Sequence, residues 1–248
     1  TLVVVGSAAM PLLFWLSAAA GSLVLLRRGA SDAMGILAWA MLPAIAWWYF
    51  GEPRTLLVLV GALSLALLLR ASWTWNRILL CSVALGLVYG LVLGTVFREP
   101  IAAMAGELQK LLPTMFDGAH QQLSVSERER LEALIAPVLT GLLAALLQIL
   151  SLLSLILGRY WQAVLYNPGG FGREFRALRL SLPQVLLLLA GMMLGPNLGP
   201  QLAMLTPLCS VPLLFAGIAL VHGLVEKGGL ARFWLVGMYI TLLLFMQL

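Results

Sequence analysis

A bundle of membrane-spanning α-helices is the fold the sequence predicts, and three observations predict it. Hydrophobic residues make up 62% of the 248 residues and charged residues only 10%, against roughly half and a quarter in soluble domains. The apolar residues fall into about eight runs, four before residue 98 and four after residue 132. One of them, Ile78 to Phe97, carries no charge over 20 residues, enough to cross a hydrocarbon core of about 30 Å. In lipid each spanning segment must satisfy its own backbone hydrogen bonds, which requires a helix. The expectation is an all-α, polytopic transmembrane helical bundle of about eight spans, or seven if the first run does not cross. It forms a single membrane domain over 1–248, with amphipathic helices at the interfaces and the lipid bilayer as its solvent.

The runs lie at 2–26, 33–50, 55–69, 78–97, 133–157, 183–195, 201–221 and 232–248. Pro11 divides the first, so Thr1–Met10 reads as the end of a separate helix. No basic segment precedes Leu2, and no signal peptide is read there. The second run closes on Trp47, Trp48 and Tyr49, the amphipathic rings favoured at a membrane surface, while Trp15 and Trp39 fall deeper and read as packing residues. In the fourth run Ser82, Gly86, Gly90 and Gly94 recur every four residues, which places them on one helix face and permits close backbone approach. That face serves helix packing within the chain, dimerisation, or the sliding of a moving helix.

The connection 98–132 is the longest. Ile101, Met104, Ala105, Leu108, Leu111 and Met115 recur there at helical spacing, with Glu107 and Lys110 off that face. It reads as a helix lying flat, either a connector or a lid over an outward-facing pocket. Ser126 and Glu129 have capping-box spacing and are expected to start the fifth span. His120 stands alone in this connection and reads as solvated.

The segment 158–182 is the most distinctive: GRYWQAVLYNPGGFGREFRALRL from Gly158 to Leu180. Its first part extends the fifth span. Asn167, Pro168, Gly169 and Gly170 must break that helix. A short amphipathic helix follows, with Phe171, Phe175, Leu178 and Leu182 on one face and Arg173, Arg176 and Arg179 elsewhere. The arginines either meet anionic lipid headgroups or grip a phosphate-bearing ligand or acidic partner. No Lys-Ser/Thr pair follows the glycines, so this is no P-loop. The sixth and seventh runs are broken by Pro196, Pro200, Pro207 and Pro212, with Asn197, Gln201, Thr206 and Ser210 among them. Such breaks are kinks satisfied by a neighbouring helix, or part of a polar site within the bundle. His222, Glu226 and Lys227 close the seventh run and read as snorkelling or solvated side chains.

Charge orients the chain. Thirteen of the fifteen basic residues are arginines, almost all between apolar runs. Arg27, Arg28, Arg70, Arg77, Arg159, Arg173, Arg176, Arg179, Lys227 and Arg232 fall on one set of alternate connections. Only Arg54, Arg98, Lys110, Arg128 and Arg130 fall on the other, beside several acids. Ten against five makes the first set cytoplasmic under the positive-inside rule, with 98–132 outside and 158–182 inside. Basic residues spread this way are a bilayer pattern and exclude a nucleic-acid face. Cys81 and Cys209 have neither metal-ligand spacing nor support for a disulfide. No ionisable residue sits mid-span; Gln148 and Gln184 are the polar exceptions. With no catalytic dyad, metal motif or nucleotide motif, neither a cofactor nor a reaction is read.

The Gly158–Leu180 stretch, set between apolar spans, resembles the YybS-like family of bacterial membrane proteins. That family is distantly similar to the substrate-binding S components of energy-coupling-factor transporters. The resemblance implies a bacterial inner (cytoplasmic) membrane location, multi-pass, and binding of a small solute. S components have six spans against the eight counted here, and no ligand residue of theirs maps onto a position in this chain.

The leading expectation is an inner-membrane component that binds or helps move a small solute without its own energy source. The alternative is a scaffold or regulatory subunit that docks a partner membrane protein through the basic segment. The residues nominated for ligand or partner contact are Asn167, Gly169, Gly170, Arg173, Arg176, Arg179, Asn197 and Gln201. A polar cavity among the sixth and seventh runs would favour the first reading, and a dry bundle the second.

Overall fold

The computed structural model describes residues 13–115, 124–229, 231 and 233–245. Among them are helices and turns and no strand. The helices are α1 (Phe14–Arg28), α2 (Ala30–Tyr49), α3 (Arg54–Arg70), α4 (Trp75–Val96) and α5 (Arg98–Met115). Next come α6 (Val125–Tyr166), α7 (Gly170–Arg176), α8 (Leu182–Leu198), a 3-10 turn (Pro200–Met204), α9 (Leu205–Glu226) and α10 (Phe233–Phe245). Four stretches are long and apolar enough to cross a membrane: Ala30–Tyr49, Trp75–Val96, Ser126–Tyr166 and Pro200–Glu226. The α8 and α10 helices are apolar but shorter. Residues 1–12, with the Thr1–Met10 part of the first run, lie outside the described residues, and α1 covers the rest of that run.

The 42-residue α6 is the spine, and α1, α3, α4 and α9 pack along it. Small residues let the helices meet. A side chain on Gly158 would lie 2.6 Å from the Ala19 carbonyl oxygen of α1, and one on Gly141 would lie 2.7 Å from the Met204 backbone. Lipid tails are as apolar as leucine, so such contacts and interhelical hydrogen bonds hold the bundle together. Tyr89 of α4 is buried, with its hydroxyl 2.9 Å from the Leu57 carbonyl of α3 and 2.8 Å from Ser151 Oγ of α6. Ser151 Oγ is itself 2.8 Å from the Leu147 carbonyl, so two hydroxyl protons serve three contacts. Ser154 donates to the Trp15 carbonyl at 3.1 Å.

The connections rich in arginine converge at one end. Arg70 Nη1 donates to the carbonyls of Leu26 (2.9 Å) and Leu25 (3.4 Å), capping α1 from the end of α3. Arg27 stacks over Tyr166, 4.0 Å from the ring centre. Arg159 of α6 pairs with both oxygens of Glu174 of α7, and Arg176 pairs with Glu226 of α9. At the opposite end Arg130 Nη2 donates to Asn197 Oδ1 at 3.1 Å, and Gln109 donates to the Glu132 carbonyl at 3.4 Å.

Several sequence expectations need correction. The cap of α6 is Ser124 with Glu127, not Ser126 with Glu129: the Glu127 amide donates to Ser124 Oγ at 3.3 Å, and the Ser124 amide to Glu127 Oε2 at 2.8 Å. Both pairs have the same spacing, and the earlier one captures the helix start. Pro196 and Pro212 do not break their helices, and Pro207 sits in the first turn of α9. The interruption lies at Gly199, at φ 146° and ψ 154°, a conformation that suits glycine alone. Pro196 has no N–H for the Met192 carbonyl, and Thr206 Oγ1 donates to that carbonyl instead at 2.8 Å. Trp39 is 61% exposed on the outer surface of α2 and is no packing residue. On α5 Ile101 and Ala105 of the expected apolar face are buried, whereas Met104, Leu108 and Leu111 are exposed. His222 bonds to Tyr239 and Glu226 pairs with Arg176, while Glu226 and Lys227 stay exposed as expected.

Candidate functional site

The structure splits the eight nominated contact residues between the two ends of the bundle. Asn167, Gly169, Gly170, Arg173, Arg176 and Arg179 lie at the basic end. Asn197 and Gln201 lie at the opposite end, where Asn197 is held by Arg130 and donates to the Met193 carbonyl at 3.2 Å.

At the basic end the Asn-Pro-Gly-Gly break has a packing explanation. Gly169 takes φ 80°, a left-handed turn that favours glycine. Gly170 is buried against Asn167, whose amide occupies the space a side chain would need. The turn lays α7 back across the bundle. Phe171 then meets the rings of Trp75 and Tyr160, and Phe175 meets His222. Leu178 joins this buried face, but Leu182 is exposed and does not. The three arginines do not act together: Arg176 turns inward to Glu226, while Arg173 and Arg179 are exposed. A cavity of about 490 Å³ beside α7 contains Arg70, Trp73, Trp75, Arg159, Gln162 and Glu174. Arg159 there is committed to Glu174 and to Gln162 at 2.5 Å, and Arg70 to the end of α1. This cavity reads as a stitch joining helix ends.

A different arrangement occupies the opposite end. A pocket of about 550 Å³ opens between α4, α5, α6 and the 3-10 turn. The outer half of the small-residue face forms one wall, through Gly90 and Gly94. A side chain on Gly94 would meet only Thr140 Cγ2, at 3.9 Å, so the absence of a side chain there leaves open space. Pro137, Ala133 and Ala136 of α6 form the facing wall, and Ile101 and Ala102 of α5 a third. Met204 is buried and forms the floor, its sulfur against Gly90. Arg98 is the one charged residue lining the pocket, and neither its guanidinium nor the Gln201 amide has a bonded partner among the described residues. Thr95 and Thr140 spend their hydroxyl protons on the Leu91 and Ala136 carbonyls, at 2.6 and 2.8 Å, so towards the pocket they can only accept.

Beneath Met204 the inner half of the small-residue face is closed. A side chain on Gly86 would lie 2.5 Å from Leu208 Cδ2 and 2.9 Å from Gln148 Oε1. Gln148 is fully buried and donates to Ser82 Oγ at 2.8 Å, and Ser82 donates to the Leu79 carbonyl. The amide oxygen of Gln148 has no hydrogen-bond partner among the described residues and lies beside Gly86, 2.9 Å from where a Cβ would stand. Ser82, Gly86 and Gly90 thus pack within the chain against α6, α9 and the 3-10 turn, while Gly94 lines the pocket.

Sequence reasoning named Gln201 but missed Arg98, Thr95, Thr140 and Met204 as neighbours of it. The one available signal was the small-residue face itself, whose last glycine, Gly94, lines the pocket. Among the described residues no three His, Cys, Asp or Glu side chains cluster as metal ligands, and both cysteines are free. His120 lies outside the described residues. Fold and site define a helical membrane protein with an open pocket at one end. Comparison with protein families, curated proteins and solved structures finds no match for this chain.

Proposed function

We propose that this protein is a multi-pass component of a bacterial inner membrane that binds a small solute in the pocket between α4, α5, α6 and the 3-10 turn. On this reading α1, α2, α3, α4, α6, α8, α9 and α10 are the eight spans, and the basic end faces the cytoplasm by the positive-inside rule. The pocket then opens outward, with α5 as its side wall. One observation carries the proposal. An open volume of about 550 Å³ with both apolar and polar lining lies between the fourth and fifth runs, α5 and the 3-10 turn, and no residue of the sixth run lines it; its size is within the roughly 300–1,000 Å³ typical of small-molecule sites. No nucleotide motif accompanies it, so uptake would need a partner to supply energy.

The scaffold reading has its own support. Arg28, Arg77, Arg173 and Arg179 are exposed at the basic end without ion pairs among the described residues. One experiment separates the two. Small molecules that co-purify in mild detergent are identified by mass spectrometry for the parent protein and for Gly94→Trp, which fills the pocket from a position with room for a side chain. A compound retained by the parent and lost from the variant supports solute binding. No difference between the two, with a protein retained by both, supports the scaffold.

A further inference from the structure

The lining of the pocket narrows the solute to a chemical class, an inference that rests on the solute-binding reading above. Its floor and walls offer Met204, Ile101, Pro137 and backbone glycine, surfaces that reward an apolar body. Its polar groups are unevenly matched. The guanidinium of Arg98 is the single charge on the lining and has no carboxylate partner among the described residues. The same end carries Glu99, Glu107, Glu127, Glu129 and Glu132, but none of them lines the pocket. Glu107 is engaged by Lys110 at 2.7 Å and Glu127 by the α6 cap. A lone cation beside low-dielectric walls raises the local concentration of anions, and a guanidinium fork matches a carboxylate or phosphate in geometry.

We propose that the pocket takes a small amphiphile bearing one anionic group, a carboxylate, sulfonate or phosphate, seated against Arg98 with its apolar part towards Met204 and Ile101. The anion satisfies the one unpaired charge on the lining. The apolar part covers the floor that would otherwise face water.

The charge preference can be read without knowing the solute. Gly94→Cys places a thiol on the pocket wall, where a side chain meets only Thr140 at 3.9 Å. The native Cys81 and Cys209 are replaced by alanine, and the protein without the new thiol serves as blank. The probes are two methanethiosulfonates of similar size, one sulfonatoethyl and one trimethylammonioethyl. Each rate is divided by that reagent's rate with a free small thiol. The anionic reagent is expected to be favoured about fivefold or more, as one unit charge across a wet pocket dictates. Arg98→Lys should keep the preference, Arg98→Gln should remove it, and Arg98→Glu should invert it. Equal rates for both reagents, or a ratio unmoved by Arg98→Gln, would overturn the anionic assignment while leaving an open pocket. A thiol that reacts with neither reagent would overturn the pocket itself, and this assignment with it.

Discussion

Gly61 of α3 and Tyr89 of α4 form the tightest interlock in the bundle, and Gly61→Ala should be costly out of proportion to one methyl group. A Cβ on Gly61 would land on the Tyr89 hydroxyl oxygen, with the ring carbon behind it at 2.9 Å and Leu85 Cδ2 at 3.0 Å. Tyr89 is 1% exposed and cannot swing into solvent. Accommodating the methyl means moving the ring, which forfeits the contacts to the Leu57 carbonyl and to Ser151. Overpacking costs about 1–3 kcal/mol, and each lost hydrogen bond within a membrane protein about 0.6 kcal/mol, at most about 1.7. The sum is about 2–4 kcal/mol for Gly61→Ala. Tyr89→Phe alone should cost about 1 kcal/mol, because only the hydroxyl contacts go. The discriminating quantity is the double variant. With phenylalanine at 89 the oxygen in the way is gone, so Gly61→Ala should then cost about 1–2 kcal/mol less than it does beside tyrosine. Reversible unfolding of the four proteins in bicelles, titrated with a denaturing detergent, measures this coupling. Additivity within about 0.5 kcal/mol, the behaviour of independent sites, would refute the interlock.

Three further outcomes follow from other contacts. Gly158→Ala should destabilise the protein by about 1–3 kcal/mol in the same assay, because its Cβ meets the rigid Ala19 carbonyl at 2.6 Å, whereas Gly217→Ala, with nothing within 4 Å, should be neutral or better. Thr206→Val should cost about 1 kcal/mol by orphaning the Met192 carbonyl, and that cost should shrink beside Pro196→Ala, which restores the missing amide donor. Hydrogen bonds from the Ser124 side chain and amide hold the Glu127 carboxyl below its ordinary value. Its capping contribution should therefore be complete above the ordinary glutamate range and fade as pH falls through the lowered folded-state value. Hydrogen exchange at 125–130 should speed up across that window in the parent and show no such step in Glu127→Gln.

Much of the architecture was legible because lipid imposes strong rules. The arginine pattern said which connections share an end, and Arg70 on Leu26, Arg27 on Tyr166 and Arg176 on Glu226 join those connections. The break at Asn167–Gly170 and the helix after it also follow from local chemistry, since glycine and proline act within a residue or two. Detail failed where two local solutions competed. Ser124 and Ser126 both begin an S-x-x-E pattern, and spacing alone does not choose between them. Four prolines in the sixth and seventh runs looked like four breaks, but Thr206 takes up the Met192 carbonyl that Pro196 leaves without an amide donor, from fourteen residues along the chain. The pocket was not legible as a site because Gly94, Arg98, Thr140 and Gln201 belong to four separate elements, and no sequence spacing records that meeting. Arginines 173, 176 and 179 drew attention by proximity in sequence, and the structure gives only Arg176 an inward partner.

The account depends on which side of the membrane the pocket opens to. Single cysteines in place of Gln201 at the pocket mouth and Arg179 at the basic end, treated in intact cells with an impermeant maleimide, test this directly. Labelling at 201 in intact cells, with labelling at 179 only after the membrane is permeabilised, is the predicted result. Labelling at 179 in intact cells with protection at 201 would place the pocket in the cytoplasm and contradict an outward-facing solute site.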